Sequence, residues 1–278
     1  MLEKAVKAIS YILVGGILLG SPTYALSKDK NDSGERKEYI EGIIEEFNKI
    51  SIEEGKLEEE VSLKKFKTGE YSFDLDRARI INYELFDNDK GLVVYVKDLH
   101  YSDKVQESIY HTLHELIDEN SINLLLLENI TKDEIIGEKM ADMWEAVFNY
   151  DAGGWVEYEY KDKIATLGAE SDPKAKKLRK EGDELFRRIM EGEKEYLDQY
   201  RKKDIIERSE VIVEKIIKEM EKRNKDAAIL ICGGGHTRSL VQNFEKNHIS
   251  YIVIEANDYK KEKELALQKI NNQLNIKN

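Results

Sequence analysis

The sequence holds a single cysteine, Cys232, and only two prolines, Pro22 and Pro173, in 278 residues. One thiol cannot pair within the chain, so a disulfide scaffold is excluded. A zinc site would have to draw mainly on His, Asp and Glu. The shortage of proline leaves long stretches free to be helical. Basic charge is also short: 44 Lys and Arg stand against 56 Asp and Glu, a net charge of −12. Phosphate backbones need clustered cations, so a nucleic-acid surface is disfavoured. The basic cluster around Lys174–Arg188 is interrupted by acids and reads as a solvated helix face. Three motifs are missing as well. Without G-x-S-x-G there is no standard α/β-hydrolase elbow. Without G-x-x-x-x-G-K-[ST] there is no P-loop, and the glycine run at 233–235 is not a dinucleotide fingerprint.

What is present is a 41% hydrophobic content, too high for a disordered chain. At the N-terminus, Lys4 and Lys7 precede the apolar run Ala8–Gly20, followed by Ser21-Pro22-Thr23-Tyr24-Ala25. The run is short for a bilayer span, which takes about 20 residues. The pattern predicts a secretory signal over residues 1–25, with an uncleaved N-terminal anchor as the alternative. No cysteine follows it, so a bacterial-type lipid anchor is not expected. Residues 26–38 read as a polar linker. Residues 39–278 read as one domain, opening with a helix over Tyr39–Val61.

From Leu92 onward, apolar strands alternate with amphipathic helices. Strands are expected at 71–86 (one or two), Leu92–Val96, Ile122–Leu127, Ile164–Ala169, Ala227–Cys232 and Tyr251–Ile254. Helices are expected at Asp103–Glu119, Lys132–Phe148, Arg238–Asn247 and Tyr259–Asn275. A long helical region covers about 174–224, with Gly182 and Gly192 as candidate breaks. This pattern predicts an α/β fold: a parallel or mixed central sheet flanked by helices on both faces, with a long helical insertion.

Such sheets bind ligands beyond the carboxyl ends of their strands. Polar groups stand at each of those ends. His100 and His236 each follow a buried strand and precede a helix, where they are placed to ligate a metal or act as acid and base. Lining an ordinary loop is the alternative for both. Glu128 follows four leucines and needs a partner or water. Glu170 has similar placement, with helix capping as its simpler role; Asp172 before Pro173 is well suited to capping. Gly233, Gly234 and Gly235 permit close backbone approach and free amides for an anion, or form a plain tight turn. Arg208 shares a helix face with Ile205, Ile212 and Ile216, so it must meet a carboxylate, a carbonyl or a ligand anion unless it snorkels to the rim. His111 and His114 lie opposite the buried stripe of their helix and read as surface, as does His248 in its polar turn. Cys232 reads as a small core residue. Tyr150, Trp155, Tyr158 and Tyr160 form an aromatic stretch suited to core packing or to a ligand wall.

The order of these pieces resembles the superfamily that joins TIKI-type proteases, TraB/PrgY pheromone-shutdown proteins, erythromycin-esterase-like enzymes and ChaN-like haem-binding proteins. His100 in VVYVKDLHYSD resembles its first G-x-x-H-type motif, and Gly233 with His236 in ILICGGGHTRSL its second. Glu128 in LLLLEN stands as its strand-end acid, and Arg208 in DIIERSEVIV as its helix arginine. The resemblance covers about Leu92 to Glu255. Lys97 stands where the first motif carries glycine, which allows for a remodelled or inactive site. The resemblance implies an extracytoplasmic hydrolase acting on a peptide or ester. His100, His236 and Glu128 would hold a divalent metal or activate water, and Arg208 would stabilise an oxyanion. It also implies an alternative, a non-catalytic haem or small-ligand binder at the same edge.

Overall fold

The computed structural model describes residues 61–87, 90–100, 102–128, 130 and 152–275, the side chains of 158, 267 and 269–275 excepted, with single positions between 42 and 57. The signal and linker expected at 1–38, the helix expected at Lys132–Phe148, and Tyr150 lie outside the described residues, as does the Tyr158 side chain.

Six strands form one mixed sheet. They are β3 (Ala78–Glu84), β4 (Leu92–Asp98), β5 (Leu124–Leu127), β6 (Ala165–Gly168), β7 (Ala227–Gly233) and β8 (Ser250–Ala256), in the order β3-β8-β4-β7-β5-β6. Every described pairing is parallel except β3 with β8. The central strands β4, β7 and β8 are buried at every residue. That explains their continuous apolar sequences: both faces must be covered. A separate hairpin, β1 (Lys65–Thr68) and β2 (Tyr71–Asp74), precedes the sheet.

Helix α1 (Asp103–Asp118) covers one face, where Val105, Ile109, Leu113 and Leu116 pack against Val94, Val96, Leu125 and Ile254. Helix α2 (Ala152–Glu159) packs beside it, and Tyr160 just beyond joins the same core. The other face packs against α4 (Arg208–Arg223) and α5 (Thr237–Lys246), through Ile212, Val213, Ile216, Leu240 and Phe244. Helix α6 (Tyr259–Asn275) follows β8. Among the described residues, no helix is long and apolar enough to cross a membrane.

The long helical region is interrupted once. Helix α3 (Pro173–Met190) starts with Asp172 accepting from Lys174 N–H and Pro173 in its first turn. It ends where Gly192 takes φ +123°, a conformation that excludes most side chains. Gly182 is not a break: it is buried inside α3. From Leu197 the chain winds again, through a π-helical stretch at Arg201–Glu207, directly into α4. Ile43, a buried helical residue near the N-terminal end of the described chain, packs with Phe186, Ile189, Tyr200 and Ile205 beneath this region.

Candidate functional site

The carboxyl ends of β5, β6 and β7 deliver Glu128, Glu170 and Cys232 toward α4. Arg208, the first residue of α4, is fully buried among them. Its Nη2 lies 2.6 Å from Glu128 Oε1 and 2.8 Å from Glu170 Oε1, and its Nη1 lies 2.8 Å from Asp204 Oδ1. One guanidinium therefore binds three buried carboxylates, which its planar fork of donors suits. Arg179 of α3 adds a second cation, 3.1 Å from Glu170 Oε2. Glu170 is thus an ion-pair partner, and capping falls to Asp172. Asp204 comes from the π-helical turn, a local distortion common at functional positions.

Glu128 also accepts the Gly233 N–H on Oε2 at 2.5 Å. The glycine run does cradle an anion, and that anion is the protein's own carboxylate. Tyr95 Oη holds the turn from below by donating to the Gly233 carbonyl at 3.0 Å. Thr237 Oγ1 donates to the Gly234 carbonyl at 2.8 Å. Burial alone would raise the Glu128 carboxyl. The neighbouring His236 imidazole, the Arg208 guanidinium and the Gly233 N–H outweigh it and hold the group at about 2.

His236 closes the group. Its Nδ1 lies 2.9 Å from Ser209 Oγ, and its Nε2 lies 3.3 Å from Glu128 Oε1. Cys232, buried in β7, presents its thiol to the same point. One ligand atom from each of Glu128, Cys232 and His236 lies within 4.8 Å of the other two, so the three could hold a metal ion. Burial first, and Glu128 second, push the Cys232 thiol well above its ordinary value, so without a metal it is protonated.

His100 is not part of that group. Its Nδ1 lies 2.8 Å from Asp98 Oδ2, and Asp98 Oδ1 accepts from Gln106 of α1 at 2.5 Å. Successive strand residues point to opposite faces. Asp98 faces α1, whereas Glu128 reaches α4 on the other face. The structure thus brings Glu128, Glu170, Arg208, Gly233 and His236 together and leaves His100 with Asp98. His111 and His114 are partly exposed; His114 ties α1 to α2 through Tyr160 Oη at 2.6 Å and Glu159 at 2.9 Å.

Sequence reasoning missed Cys232 as a ligand candidate, and Asp204, Arg179 and Ser209 as partners. Two signals were available. Asp204 precedes Arg208 by four residues, the spacing of a helical ion pair. Cys232 precedes His236 by four and ends the apolar part of its strand.

Asp183 borders this network from α3. Its Oδ1 is buried without a hydrogen bond. Burial first, with Asp204 adding, raises its carboxyl to about 6 against the pull of Arg179. A raised carboxyl favours the folded state only while protonated. That contribution is present below the ordinary value of 3.8 and is lost as pH rises through about 6. Asp183→Asn should therefore melt above the wild type at pH 7.5, with the gap closing toward pH 4. Thermal melts at both values check this, and a lower melting temperature for the variant at pH 7.5 would refute it.

No family model, curated protein or solved structure matches this chain.

Proposed function

We propose that the chain is a metal-assisted hydrolase centred on Glu128, Cys232 and His236, acting on a peptide or ester. The placement of His236 carries this reading. Ser209 Oγ donates its proton to the Ile205 carbonyl at 2.6 Å, so toward His236 it accepts from Nδ1–H. Nε2 is then the ring position turned to Glu128. It is buried, makes no hydrogen bond and faces a carboxylate oxygen at 3.3 Å. A ring nitrogen, a carboxylate oxygen and a sulfur that converge in a dry interior form a set of donors that a cation suits. Cys232 supplies the third donor. One nitrogen, one sulfur and one oxygen suit a zinc-class ion, and a bound imidazole commonly gives its other N–H to a supporting group, as His236 gives it to Ser209.

When bound, such an ion supplies Lewis acidity and lowers the pKa of water. The chain's own residues have separate tasks. Arg208 keeps Glu128 ionised and fixed. Gly233 N–H orients the second carboxylate oxygen. Ser209 sets the tautomer of His236. Cys232 would hold the ion as a thiolate, its proton lost to solvent. The motifs that resemble the TIKI/TraB/erythromycin-esterase group agree with this reading, which also takes residues 1–25 as an export signal. A second reading is a family member without chemistry. Its support is burial: Glu128, Cys232 and His236 are each at most 5% exposed.

The test is a zinc titration of the full, chelator-treated chain by calorimetry. One ion per chain is expected, with Cys232→Ala and His236→Ala each weakening affinity by about 100-fold or more, and Ser209→Ala by about tenfold. No stoichiometric binding, or equal binding by all four proteins, would overturn the metal centre. Zinc binding without turnover of any peptide or ester leaves the second reading standing.

A further inference from the structure

The amino edge of the sheet, opposite the edge that carries Glu128 and His236, holds a cavity of about 700 Å³. Small-molecule sites commonly span about 300–1,000 Å³. One wall is the hairpin turn Thr68–Tyr71. The other is the start of three adjacent strands, with Ser250 of β8, Leu92 of β4 and Asp226 just before β7. Leu85, just after β3, and Lys90 complete the lining with Gly91.

Backbone contacts fix the strand wall. Leu92 N–H donates to the Asp226 carbonyl at 2.8 Å, and Lys90 N–H donates to the His248 carbonyl at 3.2 Å. Gly91 between them takes φ +118°, and a Cβ there would strike Met220 Cε and the Asp226 carbonyl. Glycine therefore lets the chain enter β4 hard against Asp226.

The polar side chains around the cavity are uncommitted. Glu70, Lys90 and Asp226 are exposed, and their side chains make no ion pair or hydrogen bond among the described residues. Charges on the same hairpin do pair: Lys65 meets Asp74 at 2.6 Å. Ser250 is 2% exposed, and its Oγ accepts the Phe86 N–H at 2.9 Å. Its own proton has no acceptor among the described residues, although a buried hydroxyl ordinarily finds one. Two acids, one ammonium and one buried hydroxyl donor thus share a cavity without pairing with one another. Leu85, 39% exposed, adds apolar surface beside them.

We propose that this cavity binds a dipeptide by its two charged ends, the ammonium at Asp226 and Glu70 and the carboxylate at Lys90 and the Ser250 hydroxyl. Charge-assisted hydrogen bonds at both ends select a ligand that carries both signs. The spacing supports this. Leu92 pairs in register with Ser250 on one side and with Ala227 on the other, so Ser250 and Asp226 stand two strand spacings, about 10 Å, apart. An extended dipeptide spans about 7 Å, and a hydrogen bond of about 3 Å closes the remainder. Apolar side chains on the dipeptide would rest on Leu85. The site lies at the other edge of the sheet from the metal centre and does not rest on the hydrolase reading.

The test is calorimetry on the full, chelator-treated chain at low salt, with leucyl-leucine, its N-acetyl derivative and its C-terminal amide as separate probes. The free dipeptide is expected to bind at one site per chain, and blocking either end should weaken binding about tenfold or more. Salt should weaken it as well. Asp226→Asn and Lys90→Gln, both exposed positions whose folding is checked by thermal melts, should each weaken the free dipeptide about tenfold. No binding of the free dipeptide, equal binding of the blocked probes, or binding unchanged in both variants overturns the site. Zinc binding and turnover are measured separately: dipeptide binding without them overturns only the hydrolase reading, and the reverse overturns only this site.

Discussion

Arg208→Met is expected to cost the fold about 3–5 kcal/mol at neutral pH. The side chain is completely buried, and methionine keeps an unbranched apolar stem without the guanidinium or its charge. Three buried carboxylates, Glu128, Glu170 and Asp204, lose their shared cation. Breaking one buried ion pair by removing a single partner typically costs about 3–5 kcal/mol. A domain's whole stability is about 5–15 kcal/mol. Arg179 still reaches Glu170, whereas Glu128 and Asp204 lose the arginine that pairs with both of them. The pH dependence should reverse. In the wild type, Glu128 is held at about 2, so its contribution is present above its ordinary 4.5 and is lost as pH falls toward 2. Without Arg208, burial acts with less opposition and the carboxyls rise. The variant then gains stability as pH falls from 7.5 toward 5. Urea denaturation at both values reads this directly. A variant within 1 kcal/mol of the wild type at pH 7.5 (a generous margin for a surface-like change) would show that the network contributes little. Arg208→Lys is the informative control: it keeps the charge but not the fork, so it should fall between the two.

How much of this network was visible in the sequence depends on which local rule governs each residue. Strands β4, β5, β7 and β8 were legible because continuous apolar runs leave few other options. Their ends pointed to Glu128, Glu170 and His236 by the same rule. Arg208 was legible as a conflict, a guanidinium on an isoleucine stripe, and the structure resolves it with three acids. The face on which a post-strand residue lies was not legible. His100 looked equivalent to His236, yet it stays with Asp98 on the α1 side while His236 follows a 3₁₀ turn toward α4. Hairpin strand β1, Lys-Phe-Lys-Thr, was too polar to stand out. Cys232 was dismissed because burial and inertness usually go together. Cys232 does belong to the apolar cluster of its face, and a carboxylate and an imidazole stand beside it as well.

Gly182→Ala carries the second large effect, and it tests the network from the opposite side. An alanine inside a helix is normally stabilising relative to glycine, by roughly 0.5–1 kcal/mol. In α3 the opposite is expected. The three atoms nearest to an added Cβ all belong to Asp204: Oδ1, Cγ and Cβ, the last at 2.8 Å. Asp204 cannot swing away freely, because Oδ1 is bound to Arg208 and the side chain is fully buried. Overpacking at such a site costs about 1–3 kcal/mol, and displacing Asp204 also loosens Arg208 from one of its three partners. A net loss of about 2 kcal/mol or more is expected in urea denaturation. A double-mutant cycle with Asp204→Ala separates the causes. Removing Oδ1 and Cγ relieves two of the three contacts and frees residue 204 from Arg208, so Gly182→Ala should cost less in that background, with a coupling of order 1–2 kcal/mol. Equal losses in both backgrounds would mean that the helix, not Asp204, requires glycine. A stabilising Gly182→Ala would mean that Asp204 is not held where Arg208 needs it. The residue that looked like a helix break is then a gap shaped for a carboxylate. Its substitution reports on the same ion cluster that Arg208 holds together.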